Sequence, residues 1–386
     1  MVRTRFAAEA AGGLHFGNAH TAVLNWLFAR QNHGVFIIRV DDAATPVGGE
    51  DIEALADLRW LGVDWDEGPS ARSDDWAGPN APYLKSERGH LYREHAAWLL
   101  AAGVAYRCFC APTSQQAGRS PGAERAADRC SAGNCRGLGD AGALQRAASG
   151  QRFAIRFDSK VALSSAAARF DDATHGRTDV AEHDVEDFML LGHDGQATRA
   201  FADVVDDALM EITHVIRNAG HREATPQQAL LFATLGHGAP TYIHVPDVLD
   251  QRGETLSETR GGPTVRDCRR AGYHPEAVLN YLALLACSSP EGEDVLSRGR
   301  LLERLSIDHL RTRSARFDPA TLQRLSAEHI GRMELPALVE TLKPWIQPGL
   351  GPNDGGELDA AVDAVRSRLS TFADINEHLE SDAPRS

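Results

Sequence analysis

Three stretches of the 386-residue chain carry residue types spaced for chemistry. The first is "GGLHFGNAH", residues 12–20. Glycines let a backbone approach a phosphate closely, and a helix behind them would aim free N–H groups and its positive end at the anion. His15 there either donates to charge developing on a phosphate or is a packed histidine beside a glycine turn. The second stretch is "RGETLSETRGG", residues 252–262. It is glycine-flanked and hydroxyl-rich, as a phosphate-facing loop would be, yet it holds Glu254 and Glu258 and no lysine. An ordinary surface turn of alternating charge is the other reading. The third is a cysteine cluster. Cys108 and Cys110 form C-x-C, Cys130 follows after nineteen residues, and Cys135 after four more. Four thiolates suit a closed, tetrahedral, structural Zn²⁺ site, and packed thiols are the alternative. Cys268 and Cys287 stand apart in helix-like segments and read as packed thiols.

These stretches need elements to hold them. "RTRFAAE" and "VFIIRVDD" read as strands, the second ending on Asp41 and Asp42. "GGLHFGNAH" reads as a turn, "TAVLNWLFARQNHG" as a helix ending at Gly34, and "EDIEALADLRWLGV" as a second helix. Strand, helix, strand and helix in succession predict a parallel α/β sheet, whose sites gather at the C-terminal strand ends. Residues 68–82 read as a surface loop, and "ERGHLYREHAAWLLAAG" as a helix leading to the cysteines. From about 150 to 195 the pattern is mixed, with short strands such as "RFAIRF". "FADVVDDALMEITHVIR" reads as a helix followed by a strand, "PTYIHVPDVL" as a strand and "PEAVLNYLALLA" as a helix. The remainder is mostly helix-like. His244, in "YIHVP", is expected to matter through its backbone rather than its ring. His193, His214 and His237 read as structural histidines.

Composition narrows the class. With 54 acidic and 40 basic residues the net charge is −14, which disfavours indiscriminate nucleic-acid binding but allows one basic face. Only Lys85, Lys160 and Lys343 are lysines. Arg298, Arg300 and Arg304 make either a phosphate-facing patch or a solvated helix face. No apolar run approaches the roughly 20 residues a membrane span needs, and the N-terminus lacks an apolar signal core, so a cytoplasmic protein is expected.

The ordered set "HFGN", "RWLGVDWDEGP", "PYLKSER", "VVDDALMEITHVIR" and "GYHPEAVLNYLALL" resembles the bacterial glutamyl-tRNA synthetases, class I aminoacyl-tRNA synthetases, over about residues 1–335. "HFGN" takes the place of that class's HIGH signature. The resemblance implies an α/β fold: a class I Rossmann-type parallel sheet with an inserted zinc-type subdomain and a helical C-terminal region. The expected parts are 1–105 and 196–262 for the two halves of the catalytic core. Residues 106–195 would be the inserted acceptor-side subdomain, and 263–386 a helical stem-contact-like region with a shortened anticodon-binding part.

By resemblance, His15, Gly17, Asn18, Leu249, Leu256 and Ser257 would bind ATP, with His15 and Ser257 catalytic. Arg5, Glu9, Asp41, Arg199, Asp203 and Arg217 would form the amino-acid pocket. Within it Asp41 stands for a glutamate, Glu9 for a serine, Arg199 for a tyrosine and Asp203 for an asparagine. "NAGH" replaces "GEDH" after the strand-end arginine, although His221 persists. "ETLSETR" replaces "KLSKR", which puts Glu258 where a lysine normally stabilises the leaving pyrophosphate. Reversing that charge costs more than the factor of about 100–1000 lost with a single such contact. Glu9 and Asp203 are expected either to meet an added cationic or hydrogen-bonding group of the ligand or to pair with Arg199 across the pocket. The implied partners are ATP with Mg²⁺, glutamate or a related amino acid, and the tRNA acceptor arm or another acyl acceptor. A structural Zn²⁺ on Cys108, Cys110, Cys130 and Cys135 and a monomeric state complete the expectation. A paralogue that binds without adenylating is the competing one.

Overall fold

The computed structural model describes residues 1–9, 13–42, 53–70, 76–110, 135–256, 262–288, 292–311, 313–348, 350 and 355–382. Cys130, Ser257 and Glu258 lie outside the described residues.

The chain opens with β1 (Arg3–Glu9), α1 (Phe16–Gln31), β2 (Val35–Asp41) and α2 (Glu53–Trp60). β1 and β2 are parallel and in register, Arg5 opposite Ile37, Ala7 opposite Arg39 and Glu9 opposite Asp41. Alternation therefore puts Arg5, Ala7, Glu9, Arg39 and Asp41 on one face. α1 starts five residues earlier than the apolar spacing suggests, with His15 as its N-cap, so Phe16, Gly17 and Asn18 form its first turn instead of a preceding loop. The His15 carbonyl accepts from Asn18 N at 2.9 Å and Ala19 N at 2.7 Å, which makes the turn helical despite its glycine. α1 is buried nearly all round because the sheet covers one side and a later helix the other. The side-chain amide of its polar Asn25 is engaged as a donor there, while Asn25 Oδ1 is buried without a partner among the described residues. Asn25 Nδ2 donates to Thr21 O and Ile216 O, and Asn25 O accepts from Thr4 Oγ1.

Next come the two-residue strands β3 (Gly68–Pro69) and β4 (Trp76–Ala77), paired antiparallel, within the segment expected to be a plain loop. α3 (Gly89–Ala101), β5 (Ala105–Cys108), α4 (Gly139–Ala148), β6 (Ala154–Phe157), α5 (Ser159–Ser165), β7 (Arg169–Asp172), β8 (Gly176–Asp179) and β9 (Met189–Leu191) follow. The mixed region divides between two sheets. β5, β6 and β9 form an antiparallel three-stranded sheet, whereas β7 joins the sheet of the core and hairpins with β8.

α6 (Arg199–Leu209), β10 (His214–Asn218), α7 (Thr225–Thr234) and β11 (Thr241–Val245) come next. β10 and β11 are parallel, and β11 meets β7 at Tyr242 opposite Asp172. β10 lies beside β1, tied by Thr213 N to Arg3 O at 3.0 Å. The C-terminal ends of β1, β2, β10 and β11 consequently open on one cleft, the ligand position in sheets of this class.

The rest is helical: α8 (Val265–Arg270), α9 (Pro275–Ala286), α10 (Arg298–Arg304), α11 (Pro319–Gly331), α12 (Leu335–Leu342), α13 (Gly355–Val365) and α14 (Ile375–Asp382). α9, α10 and α11 share one apolar core with β1, α1 and β2 through Leu279, Leu282, Leu301 and Leu325. The last helices have their own around Leu338, Leu342, Val362 and Phe372. Among the described residues no helix is long and apolar enough to cross a membrane.

Candidate active site

The cleft is lined by charge held in ordered pairs. α6 presents Asp203, Asp206 and Asp207, spaced three and four residues apart and so on one side of the helix, toward the strands. Arg5 Nε donates to both Asp207 oxygens at 3.0 and 3.2 Å, and Arg39 Nη1 donates to Asp207 Oδ1 at 2.7 Å. Arg39 Nη2 reaches Asp203 Oδ1 at 3.1 Å. Behind them Arg88 Nε and the Tyr92 hydroxyl donate to Asp206 at 2.7 and 2.8 Å. Asp203 therefore pairs with Arg39, not with Arg199, which is exposed. Burial works against its ionisation, but Arg39 and then Arg199 outweigh it and hold the carboxyl below its usual range. Glu9 ends β1 exposed, in register beside Asp41, and Asp41 is approached by Lys85 at 3.4 Å. Asp42 is turned to structure instead, accepting from Ser86 N at 2.8 Å.

Arg217, on β10, is held differently. Its Nη1 donates to Gln228 Oε1 at 2.7 Å, its Nη2 to Thr225 Oγ1 at 2.8 Å and its Nε to His244 Nε2 at 3.3 Å. The guanidinium also lies over the Tyr242 ring, 4.9 Å from its centroid. Every one of these partners is neutral. Three of its five N–H groups are spent, leaving one on each terminal nitrogen, a fork matched to a carboxylate.

The His244 ring was expected to matter little, and that expectation needs correcting. Its Nδ1 donates to Asp172 Oδ2 at 2.7 Å, with both side chains almost wholly buried. Burial first, then the charge of Arg217, pushes His244 down to about 4 despite Asp172. Burial opposes ionisation of Asp172, but hydrogen bonds from Thr174 and His244 outweigh it and bring its carboxyl to about 2. Asp172, His175 and His244 bring their donor atoms within 4.8 Å of one another, as a metal site would. Here the short contact is a hydrogen bond that already carries a proton.

At the other side of the cleft, His15 is half-buried and Gly17 buried, and Asn218 Nδ2 donates to Gly17 O at 3.1 Å. Asn218 Oδ1 and His15 Nδ1 are buried without a hydrogen-bond partner among the described residues. The "ETLSETR" loop enters at Leu256, whose N–H donates to Val248 O at 2.8 Å. It leaves along "HFGN": Phe16 N donates to Pro263 O at 3.2 Å, Val265 N to Leu14 O at 2.9 Å, and His15 bridges Thr264. Leu249 has both backbone groups engaged, with Ala315 O at 2.9 Å and Phe317 N at 2.8 Å.

The structure thus gathers Arg5, Asp41, Arg199, Asp203 and Arg217 around one cleft with His15 and Gly17 beside it. Arg39, Lys85, Asp172, Asp207, Thr225 and Gln228 were missed. Arg39 and Asp207 had a signal, since period two puts Arg39 on the face of Asp41 and helical spacing puts Asp207 below Asp203. The arginines of the late helices are spoken for locally. Arg298 meets Asp64 at 3.1 Å, Arg304 meets Glu293 at 3.2 Å and Arg300 meets Glu303 at 3.5 Å.

Among the cysteines, Cys108, Cys110 and Cys135 bring their sulfurs within 4.8 Å of one another, with Cys110 and Cys135 at 3.6 Å. Phe109 N donates to Cys135 Sγ at 3.4 Å, as backbone amides do to metal-bound thiolates. Tetrahedral zinc with Zn–S bonds of about 2.3 Å sets sulfurs about 3.8 Å apart, close to the Cys110–Cys135 separation.

Comparison with known proteins gives a consistent result. The model of the tRNA synthetases class I (E and Q), catalytic domain, matches residues 1–324. The glutamate–tRNA ligase of Desulforudis audaxviator is 36% identical over 384 residues, covering 97% of this chain and 75% of that protein. Glutamate–tRNA ligase 1 of Syntrophomonas wolfei is 35% identical over 382 residues, covering 98% and 76%. A crystal structure of a glutamate tRNA ligase from Elizabethkingia meningosepticum, in complex with its amino acid, shares the fold with a TM-score of 0.82 at 24% identity. It covers all of this chain and 81% of that one.

Proposed function

The chain belongs to the class I tRNA synthetases of the glutamate and glutamine branch, and from that premise we propose that it is a specialised, ATP-dependent ligase. It activates glutamate or a related amino acid and passes the acyl group to tRNA or another acceptor. The observation that carries this reading is Arg217: a guanidinium whose hydrogen-bond partners among the described residues are all neutral, with one N–H on each terminal nitrogen not engaged by them. It takes the side-chain carboxylate of the substrate. Arg5, Glu9, Asp41, Arg199 and Asp203 complete the acid pocket, Glu9 and Asp41 lying at adjacent strand ends where an ammonium group is welcome.

In the activation step the α-carboxylate oxygen forms a bond to the α-phosphorus of ATP, and the bond from that phosphorus to the bridging oxygen breaks. Pyrophosphate leaves with the bonding electrons. ATP enters as its Mg²⁺ complex, over the first turn of α1, where the positive end of the helix and its N-cap His15 would meet the phosphates. Leu249, Leu256 and Ser257 belong to the same nucleotide site. Cys108, Cys110 and Cys135 would hold a structural zinc that braces the inserted segment, with Cys130 as the fourth ligand by resemblance.

Specialisation is supported by three charge changes in the pocket, at Glu9, Arg199 and Asp203, and by Glu258. One sequence feature favours the competing reading of a paralogue that binds without adenylating: "ETLSETR" carries no lysine. ATP–pyrophosphate exchange on the purified chain decides, with glutamate and a panel of related amino acids, with and without total tRNA. Exchange with one acid is expected. No exchange under any condition, in protein shown to be folded, overturns the ligase in favour of the binder.

A further inference from the structure

We infer that His244 and Asp172 are positioning residues that fix the guanidinium of Arg217 for its carboxylate ligand, through a defined imidazole tautomer. The inference rests on the reading of Arg217 as the acid site, and its test separates the two.

Asp172 Oδ2, an acceptor, lies 2.7 Å from His244 Nδ1. The proton of that bond is therefore on Nδ1, and Nε2 keeps its lone pair. Two donors converge on that lone pair: Arg217 Nε at 3.3 Å and the Thr225 hydroxyl at 3.2 Å. Thr225 in turn accepts from Arg217 Nη2 at 2.8 Å, so the hydroxyl and the imidazole hold one edge of the guanidinium between them. Gln228 holds the far nitrogen at 2.7 Å, and Tyr242 supports the flat face. The Tyr242 and His244 rings are parallel within 5°, so ring and guanidinium supports come from the same strand. Asp172 is itself locked, accepting from Thr174 N at 2.9 Å and Thr174 Oγ1 at 2.6 Å. The support runs from β7 through β11 to β10, β7 and β11 meeting at the Tyr242–Asp172 pair and β11 and β10 along their parallel ladder, Arg217 opposite His244.

Tautomer is the sensitive point. With Nδ1 protonated, Nε2 receives Arg217. If the proton moved to Nε2, an N–H would face the N–H of Arg217, and the guanidinium would have to rotate out of its fork geometry. Asp172 can only accept and so forbids that state. An asparagine there could donate to Nδ1 and permit it.

The test is calorimetric titration of the full chain with L-glutamate, and separately with ATP, using Arg217→Ala, His244→Leu, His244→Gln and Asp172→Asn. Arg217→Ala should weaken glutamate by more than about 100-fold. His244→Leu should weaken it by about 10- to 100-fold and Asp172→Asn by about 10-fold, the range a charge-assisted hydrogen bond commands. His244→Gln, whose amide oxygen can replace the Nε2 acceptor, should recover most of the loss. ATP affinity should stay within about twofold throughout. If Arg217→Ala weakens glutamate while the His244 and Asp172 variants bind as wild type, the positioning role is wrong and the acid site stands. Equal losses for glutamate and ATP mean a merely structural role and also overturn it. If Arg217→Ala binds normally, or the wild-type chain binds neither L-glutamate nor any related acid of the panel, the acid-site reading falls and takes the inference with it. Should His244→Leu fail to fold, Asp172→Asn and His244→Gln still give opposite expectations.

Discussion

Asp203 and Asp207 sit one helical turn apart on α6, yet they hold the cleft unequally. Asp207 is the shared acceptor of Arg5 and Arg39, almost fully buried, whereas Asp203 meets Arg39 alone with a side chain 24% exposed. Neutralising Asp207 leaves two buried guanidinium groups short of a counter-charge, a loss of about 3–5 kcal/mol. Neutralising Asp203 leaves Arg39 its 2.7 Å contact with Asp207 and costs about 1 kcal/mol or less. Urea unfolding of Asp207→Asn and Asp203→Asn should separate them in that order, and an equal or larger loss for Asp203→Asn would contradict the assignment. The residue types of this pocket were legible in the sequence, but the pairs were not. Arg5 and Asp207 are 202 positions apart and Arg39 and Asp203 are 164 apart, so only the folded sheet reveals that Asp203 is already engaged. His244 shows the same limit, because the carboxylate that gives its ring a purpose lies 72 positions away.

At the scale of elements, local patterning carried far. β1 spans the stretch "RTRFAAE" and α9 the stretch "PEAVLNYLALLA" that alternation and helical spacing pick out. It failed where partners are remote: β7, in the mixed region, pairs with β11, while β6 beside it in sequence pairs with β5 and β9. It also placed the start of α1 too late, because a glycine and an asparagine in a first turn look like loop. That start is fastened from outside by the bond from Asn218 Nδ2 to Gly17 O and by the Thr264 bridge to His15. Asn218→Ala should therefore cost about 1 kcal/mol of stability. Hydrogen exchange should speed up at the first-turn amides of α1, Gly17 to His20, while the later turns keep their protection. Unchanged exchange at those amides would show that the Thr264 bridge suffices.

At the scale of the whole molecule, buried histidines set the response to acid. His20 in α1, His244 in β11 and His329 in α11 are all buried, and burial is the leading cause that pushes each down to about 4. The unfolded chain releases them to about 6.5. Between those values the unfolded state binds more protons, so stability rises with pH there. The contribution is complete above pH ~6.5 and is lost as the pH falls toward ~4, at up to about 1.4 kcal/mol per pH unit for each histidine. Asp172, brought to about 2, acts in a lower window: its contribution is present above the ordinary carboxylate range and is lost as the pH falls from there through about 2. The histidines therefore dominate the upper window. His20 and His329 belong to the helices that share the main core and His244 to the central sheet, so the loss falls on the molecule rather than on one flap. Thermal melts should show a midpoint nearly level from pH 8 to 7 and falling steadily between about 6.5 and 4.5. His329→Gln should make that slope shallower, since its imidazole no longer titrates between the two states. A midpoint flat down to pH 5 would mean that these rings are solvated or paired in the native protein, and would remove the ground for a neutral His244 beneath Arg217.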